Sequence, residues 1–135
     1  MKIQVKDIMT SPVSVVEGTI SVGEIKSLMK VKDINALPVV YQLDEGVEIR
    51  GIITATDFCS AVDDSLPIEE VKRFTRVYVV SPNASCKSAA DMMLKHHVHH
   101  LVVMNDGQLV GMVSSLDFVK LVSEFELTRK INSVV

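Results

Sequence analysis

Tryptophan is absent and aromatic residues make up only 4% of the chain. Flat π surfaces on which single-stranded bases could stack are therefore in short supply. Excess positive charge is also missing. The 14 Lys and Arg stand against 17 Asp and Glu, a formal net charge of −3, whereas a general nucleic-acid binder needs a net basic surface. No apolar run approaches the roughly 18–20 residues that span a bilayer. Residues Met1 to Met9 alternate polar and apolar side chains, with no signal-peptide core. The expectation is a cytoplasmic protein with no nucleic-acid and no membrane partner. Cysteine is scarce: Cys59 and Cys86 lie far apart in apolar surroundings. A secreted scaffold carries more of them, so both are read as buried thiols. P-loop, GxGxxG, HExxH, GxSxG and CxxC patterns are all lacking. No Ser or His is set out as nucleophile and base with an orienting acid. No catalytic residue is nominated, and the expectation is a protein that is not an enzyme.

What the chain does have is aliphatic bulk. Hydrophobic residues make up 47% of its 135 positions and charged residues 23%, which excludes intrinsic disorder. Valine is the commonest residue, a bias that favours buried strands packed against helices. The length matches about one domain of roughly 150 residues.

That length contains the same pattern twice. Val13-Ser14-Val15-Val16 lies over Val77-Tyr78-Val79-Val80 at an offset of 64, and the offset brings Ser21 onto Ser85, Met29 onto Met93, Leu37 onto Leu101 and Val39 onto Val103. Beyond a longer first turn the offset becomes 60, and Gly51, Thr54, Asp57 and Phe58 fall on Gly111, Ser114, Asp117 and Phe118. Each copy reads β-α-β-β-α. A short strand (Val13–Val16; Val77–Val80) precedes a helix-start signal at Ser21, and at Asn83 or Ser85. The next segments are amphipathic, with Val22, Ile25, Leu28 and Met29 answered by Ala89, Met92 and Met93. A strand pair follows (Leu37–Leu43 with Val47–Thr54; Leu101–Met104 with Leu109–Val113), turned by Asp44-Glu45-Gly46 and by Asn105-Asp106-Gly107. Closing helices are expected over about 56–62 and 116–127. A short helix over 68–74, with Pro67 in its first turn, is expected between the copies. The division is therefore a first repeat over 1–64, a connecting segment over 65–74 and a second repeat over 75–135. A copy of about 60 residues is marginal alone, so the two are expected to form one module.

The sharpest repeated motif is Gly51-Ile52-Ile53-Thr54-Ala55-Thr56-Asp57, echoed by Gly111-Met112-Val113-Ser114-Ser115-Leu116-Asp117. Both stand where a strand hands over to a helix. Free N–H groups and a hydroxyl there suit a phosphate, and a carboxylate three residues on suits the vicinal hydroxyls of a ribose. The same [ST]-x-x-[DE] pattern also makes a helix capping box. Both readings stand at this point. The run His96-His97-Val98-His99-His100 holds every histidine of the chain. No Cys, Asp or Glu lies beside it, and His99 and His100 point opposite ways in an extended segment, so no metal site is expected. These residues end a helix, line a surface, or turn one imidazole toward a bound phosphate. Met92, Met93, Met104 and Met112 are read as core filling. Lys26, Lys30 and Lys32 are read as a solvated face.

The repeat, its element order and the Gly-h-h-Ser/Thr-x-x-Asp motif resemble a tandem pair of CBS (cystathionine-β-synthase-type) domains. The resemblance runs from about Val5 to Val122. It is carried by Val5-Lys6-Asp7-Ile8-Met9-Thr10, Asn35-Ala36-Leu37-Pro38-Val39-Val40 and Gly51 to Asp57. In the second copy it is carried by Val77 to Pro82, His99-His100-Leu101-Val102-Val103 and Gly111 to Asp117. It implies an α+β fold, two β-α-β-β-α repeats packed with pseudo-two-fold symmetry. It also implies a regulatory module that senses an adenosine-containing ligand (AMP, ADP, ATP or S-adenosylmethionine) in a cleft between the repeats. No cofactor is required; a bound adenine nucleotide, a homodimer and a separate effector chain are expected. The alternative is a ligand-free dimerisation module. Carried over residue by residue, Asp57 and Asp117 hold ribose hydroxyls and Thr54 and Ser114 contact phosphate. His99 and His100 reach toward phosphates, and Ser11, Thr75, Val16 and Val80 border the adenine. The chain departs from the family pattern at Glu17-Gly18, where the second copy has Ser81-Pro82, and at Val102 in place of Pro. Asn35-Ala36 stands where the second copy has His99-His100, so the Ser114/Asp117 site is expected to be the better phosphate site. The scarcity of Lys and Arg beside either motif argues against tight triphosphate binding.

Overall fold

The computed structural model describes residues 2–58 and 63–133, with side chains as far as Glu124. Cys59 and the expected helix beyond Phe58 lie outside the described residues. Among the described residues no helix is long and apolar enough to cross a membrane.

The chain divides into two compact units, residues 13–77 and residues 1–12 with 78–135. The packing is thus offset from the expected repeats at 1–64 and 75–135. The first twelve residues join the second copy, and 65–74 is part of the first copy's unit rather than a connector. Backbone hydrogen bonds are the reason. Helix α1 (Val5–Ile8) is tied down by Val5 N–H to the Ala84 carbonyl (2.9 Å), while Cys86 N–H donates to the Ile3 carbonyl (3.0 Å). Thr10 and Met112 exchange bonds of 2.8 and 3.1 Å. In the other unit, helix α3 (Ile68–Val71) is held by Ile68 N–H to the Ile20 carbonyl (2.8 Å), and Val22 N–H donates to the Leu66 carbonyl (2.9 Å). Val5 and Ile68, each fully buried, plug the two cores. Pro67 is the N-cap of α3 rather than a first-turn residue, and the helix ends at Val71, short of the expected Phe74.

In the 13–77 unit, helix α2 (Val22–Lys32) starts where Ser21 Oγ accepts the Glu24 N–H at 3.1 Å. It buries Val22, Ile25 and Met29 against strands β1 (Ala36–Leu43) and β2 (Gly46–Thr54). These pair antiparallel, Leu37 opposite Ile53, with a bulge between Val39 and Val40. A 3₁₀ turn, Ala55–Phe58, follows β2. The expected strand Val13–Val16 is reduced to a parallel bridge of Val16 with Val39. Gly18 departs from the Ser-Pro pattern because Tyr41 and Glu69 pack directly over it; a Cβ at this position would collide with the Tyr41 hydroxyl. That hydroxyl donates to Glu69 Oε2 at 2.6 Å, joining β1 to α3.

The other unit repeats the scheme. Strand β3 (Val79–Val80) runs parallel to β4 (His100–Asn105), which pairs antiparallel with β5 (Gln108–Ser114). The expected strand Val77–Val80 shortens to its last two residues. Helix α4 (Cys86–His96) is capped by Ser85, whose Oγ accepts the Ser88 N–H at 3.0 Å, so Ser85 rather than Asn83 is the N-cap. The Asn105-Asp106-Gly107 turn has positive φ at Asp106 (51°) and Gly107 (77°), as a two-residue hairpin turn requires. Helix α5 (Ser115–Ser133) is longer than expected. Val5, Val80, Ala89, Met93, Leu101, Val103 and Val113 form this core. Helices α2 and α4 both end on a left-handed residue, Asp33 (φ 52°) and His97 (φ 54°), one offset of 64 apart.

Candidate functional site at the two strand-to-helix turns

The motif read twice in the sequence builds the same small structure twice. In the 13–77 unit the Thr54 N–H donates to Asp57 Oδ2 at 2.7 Å, and Thr54 Oγ1 lies 3.4 Å from the same oxygen. In the other unit Ser114 N–H donates to Asp117 Oδ2 at 2.8 Å, with Ser114 Oγ at 3.2 Å. Half of a capping box is therefore realised at both turns: the carboxylate accepts the N–H three residues back, while the hydroxyl faces the carboxylate instead of accepting a backbone N–H. The arrangement uses only one oxygen of each carboxylate, because no partner is present for either Oδ1 among the described residues. Each turn is pinned to the start of the preceding hairpin: Ala55 N–H donates to the Asn35 carbonyl and Ser115 N–H to the His99 carbonyl, both at 2.9 Å. His99 stands beside the second turn for that reason, and it is exposed.

One feature distinguishes the turns. Lys72 Nζ donates to Asp57 Oδ2 at 2.6 Å and to the Ile52 carbonyl at 2.8 Å. This corrects the expectation that the first copy lacks a cation for phosphate. Lys72 escaped the sequence reading because it lies 15 residues beyond Asp57 and only the docking of α3 brings it back. In the other unit Met9 has the corresponding backbone position, but its side chain packs over Gly111. Lys72 and Met9 are the C-cap residues of α3 and α1, and each donates its N–H to the first helical carbonyl, Ile68 or Val5, at 2.9 Å. No cation pairs with Asp117 among the described residues. A small polar pocket beside it is lined by Asp7, Ile8, Asp117, Lys120, Leu121 and Glu124.

The remaining nominated residues divide between the units. Val16, Thr54, Asp57 and Thr75 lie in one, and Ser11, Val80, His99, His100, Ser114 and Asp117 in the other. Val16 and Val80 are buried in the two cores, while Ser11 and Thr75 are exposed. The histidines do not act as a group. His96 stacks on Tyr78 with ring centroids 3.9 Å apart, His97 is the exposed left-handed cap of α4, and His100 pairs with Ser114 in the β4–β5 register.

Two copies of one helix-and-hairpin scheme, each presenting a carboxylate at the turn after its second strand, define a tandem regulatory module. The family model for the CBS domain matches residues 5–64 and 68–124, and the chain belongs to that family. It is 32% identical over 115 residues to the CBS domain-containing protein YhcV of Bacillus subtilis, covering 82% of this chain and 79% of that one. Its fold is similar to the CBS domain pair of protein MJ0100, solved in complex with 5′-methylthioadenosine and S-adenosyl-L-methionine (TM-score 0.76, 29% identity, 92% and 98% of the two chains). It is also similar to a hexameric CBS-CP12 protein from bloom-forming cyanobacteria (TM-score 0.77, 25% identity, 93% and 75%).

Proposed function

We propose that this CBS pair senses an adenosine-containing ligand at its strand-to-helix turns and signals its occupancy to a separate effector. Asp57 and Asp117 accept the ribose hydroxyls, and Thr54 and Ser114 contact phosphate where the ligand has one. Ser11, Thr75, Val16 and Val80 border the adenine, and His99 and His100 stand toward the phosphates. The observation that carries this reading is the repeated carboxylate. Oδ2 is held by the turn's own N–H while Oδ1 keeps its acceptor capacity. A pre-oriented acceptor costs little to order when a ribose hydroxyl donates to it. The bound adenosine compounds of MJ0100 support the ligand class.

The module is proposed to act as a homodimer. Leu116, Val119 and Val122 recur at three-residue spacing along α5 and are 66%, 61% and 58% exposed. An apolar stripe of that kind on a helix suits a second copy of the chain. Calorimetric titration with AMP, ADP, ATP, NAD and S-adenosylmethionine tests the ligand. Binding to the parent and its loss in Asp57→Ala and Asp117→Ala are expected. No binding by any of them, or unchanged binding in both variants, refutes the reading. The capping bonds favour a second reading, a ligand-free dimerisation module in which both carboxylates are structural. It requires a dimer whose melting temperature ignores every nucleotide, and a shift of several degrees counts against it.

A further inference from the structure

The duplicated turns differ in charge. Asp57 is neutralised by Lys72, whose side chain is only 19% exposed. Lysine carries three N–H donors; two are used on Asp57 and the Ile52 carbonyl. Among the described residues the third has no partner. At the other turn the C-cap position holds Met9, which carries no charge; its thioether packs over Gly111 as Phe74 packs over Gly51, and Thr10 N–H takes the Met112 carbonyl that corresponds to Ile52's. The pocket beside Asp117 is lined by the carboxylates of Asp7 and Asp117 and by the ammonium of Lys120. Asp7 is already the acceptor for Gln4 N–H at 2.9 Å.

We infer that Lys72 is a specificity-determining residue. It makes the Thr54/Asp57 turn the one that takes phosphorylated adenosine ligands, and leaves the Ser114/Asp117 turn to uncharged or cationic ones. This reverses the sequence-based ranking of the two turns, and it rests on the adenosine-binding reading above. A phosphate monoester carries close to two negative charges near neutral pH. Beside an unpaired carboxylate that charge is repelled. Beside a carboxylate already paired with an ammonium it meets no net charge and gains a charge-assisted donor. An uncharged nucleoside is indifferent to the difference.

The two turns report separately by NMR, since the Thr54 and Ser114 amides each donate to their own carboxylate. The test titrates AMP and adenosine at pH 8 into the full chain and into Lys72→Met and Met9→Lys. In the parent, AMP is expected to shift Thr54 at about tenfold lower concentration than Ser114, with no such preference for adenosine. Lys72→Met is expected to remove the AMP preference and leave adenosine binding within about twofold. Met9→Lys is expected to bring AMP to Ser114. That variant keeps the inference open to refutation even if Lys72→Met fails to fold. Shifts with the same AMP-to-adenosine ratio in parent and variants overturn the role of Lys72 alone. If neither ligand moves either amide, the adenosine-binding reading falls and the inference falls with it.

Discussion

The Lys72–Asp57 pair should contribute measurably to stability, where most ion pairs contribute little. Two pairs in this chain have nearly the same geometry, Lys72–Asp57 at 2.6 Å and Lys87–Asp91 at 2.7 Å, but their side chains are 19% and 26% exposed in the first and 85% and 59% in the second. Exposed pairs are worth about 0.2–1 kcal/mol, while removing one partner of a fully buried pair costs about 3–5 kcal/mol. The Lys72 pair lies between these limits, so we expect a coupling energy of about 1.5 kcal/mol. For Lys87–Asp91, a helical i,i+4 pair, about 0.3 kcal/mol is expected. Two double-mutant cycles measure both, Lys72→Met with Asp57→Asn and Lys87→Met with Asp91→Asn, each read by urea unfolding at constant m. Raising salt from 0.1 to 1 M shortens the screening length from about 10 to about 3 Å. The exposed pair should then vanish, and the sheltered one should keep more than half its coupling. Equal couplings in the two cycles would refute the premise that burial, rather than contact distance, sets the strength here.

Other consequences follow from the packing. A Cβ at Gly51 would stand 2.6 Å from Phe74 Cδ1, so Gly51→Ala should cost about 1–3 kcal/mol by urea unfolding, and Phe74→Ala in the same chain should recover part of the loss. Tyr41 ionises above its ordinary value, first because its hydroxyl donates to Glu69 and then because of burial. The folded state therefore holds that proton more tightly than the unfolded chain. The resulting stability is present below pH of about 10 and is lost as pH rises through the folded-state pKa. Ultraviolet titration of Tyr41→Phe against the parent checks this, and an ordinary tyrosine pKa would contradict it. Burial, with a smaller effect from Asp7, raises the Cys86 thiol pKa. Alkylation of Cys86 at pH 8 should thus be slow in the folded chain and rapid in urea; equal rates would disprove the shielding.

Much of this fold was legible because its signals are local and occur twice. Ser21 and Ser85 each accept the N–H three residues on, as the capping preference of serine predicts. Asn105-Asp106-Gly107 turns where positive φ is easiest. The hydrophobic spacing of α2 and α4 puts Ile25 with Met29, and Ala89 with Met93, into the two cores. The first strands are shorter than their residue types suggest. Val13–Val16 has strand-like residues, but pairing needs a partner edge, and only Val16 reaches one. The packed units differ from the sequence repeats for a similar reason. Thr10 reads as part of the first copy's approach, yet its backbone hydrogen bonds go to Met112, and sequence order carries no mark of that choice.

The sequence by itself determined that this is a duplicated α+β chain with a Ser/Thr-x-x-Asp turn in each copy, because periodicity, caps and turns are properties of neighbouring residues. The tertiary structure alone decided that the two turns are chemically unequal. Lys72 and Met9 are far along the chain from the carboxylates they distinguish. Their effect exists only once α3 and α1 dock beside strands whose carbonyls and carboxylates can select an ammonium or do without one.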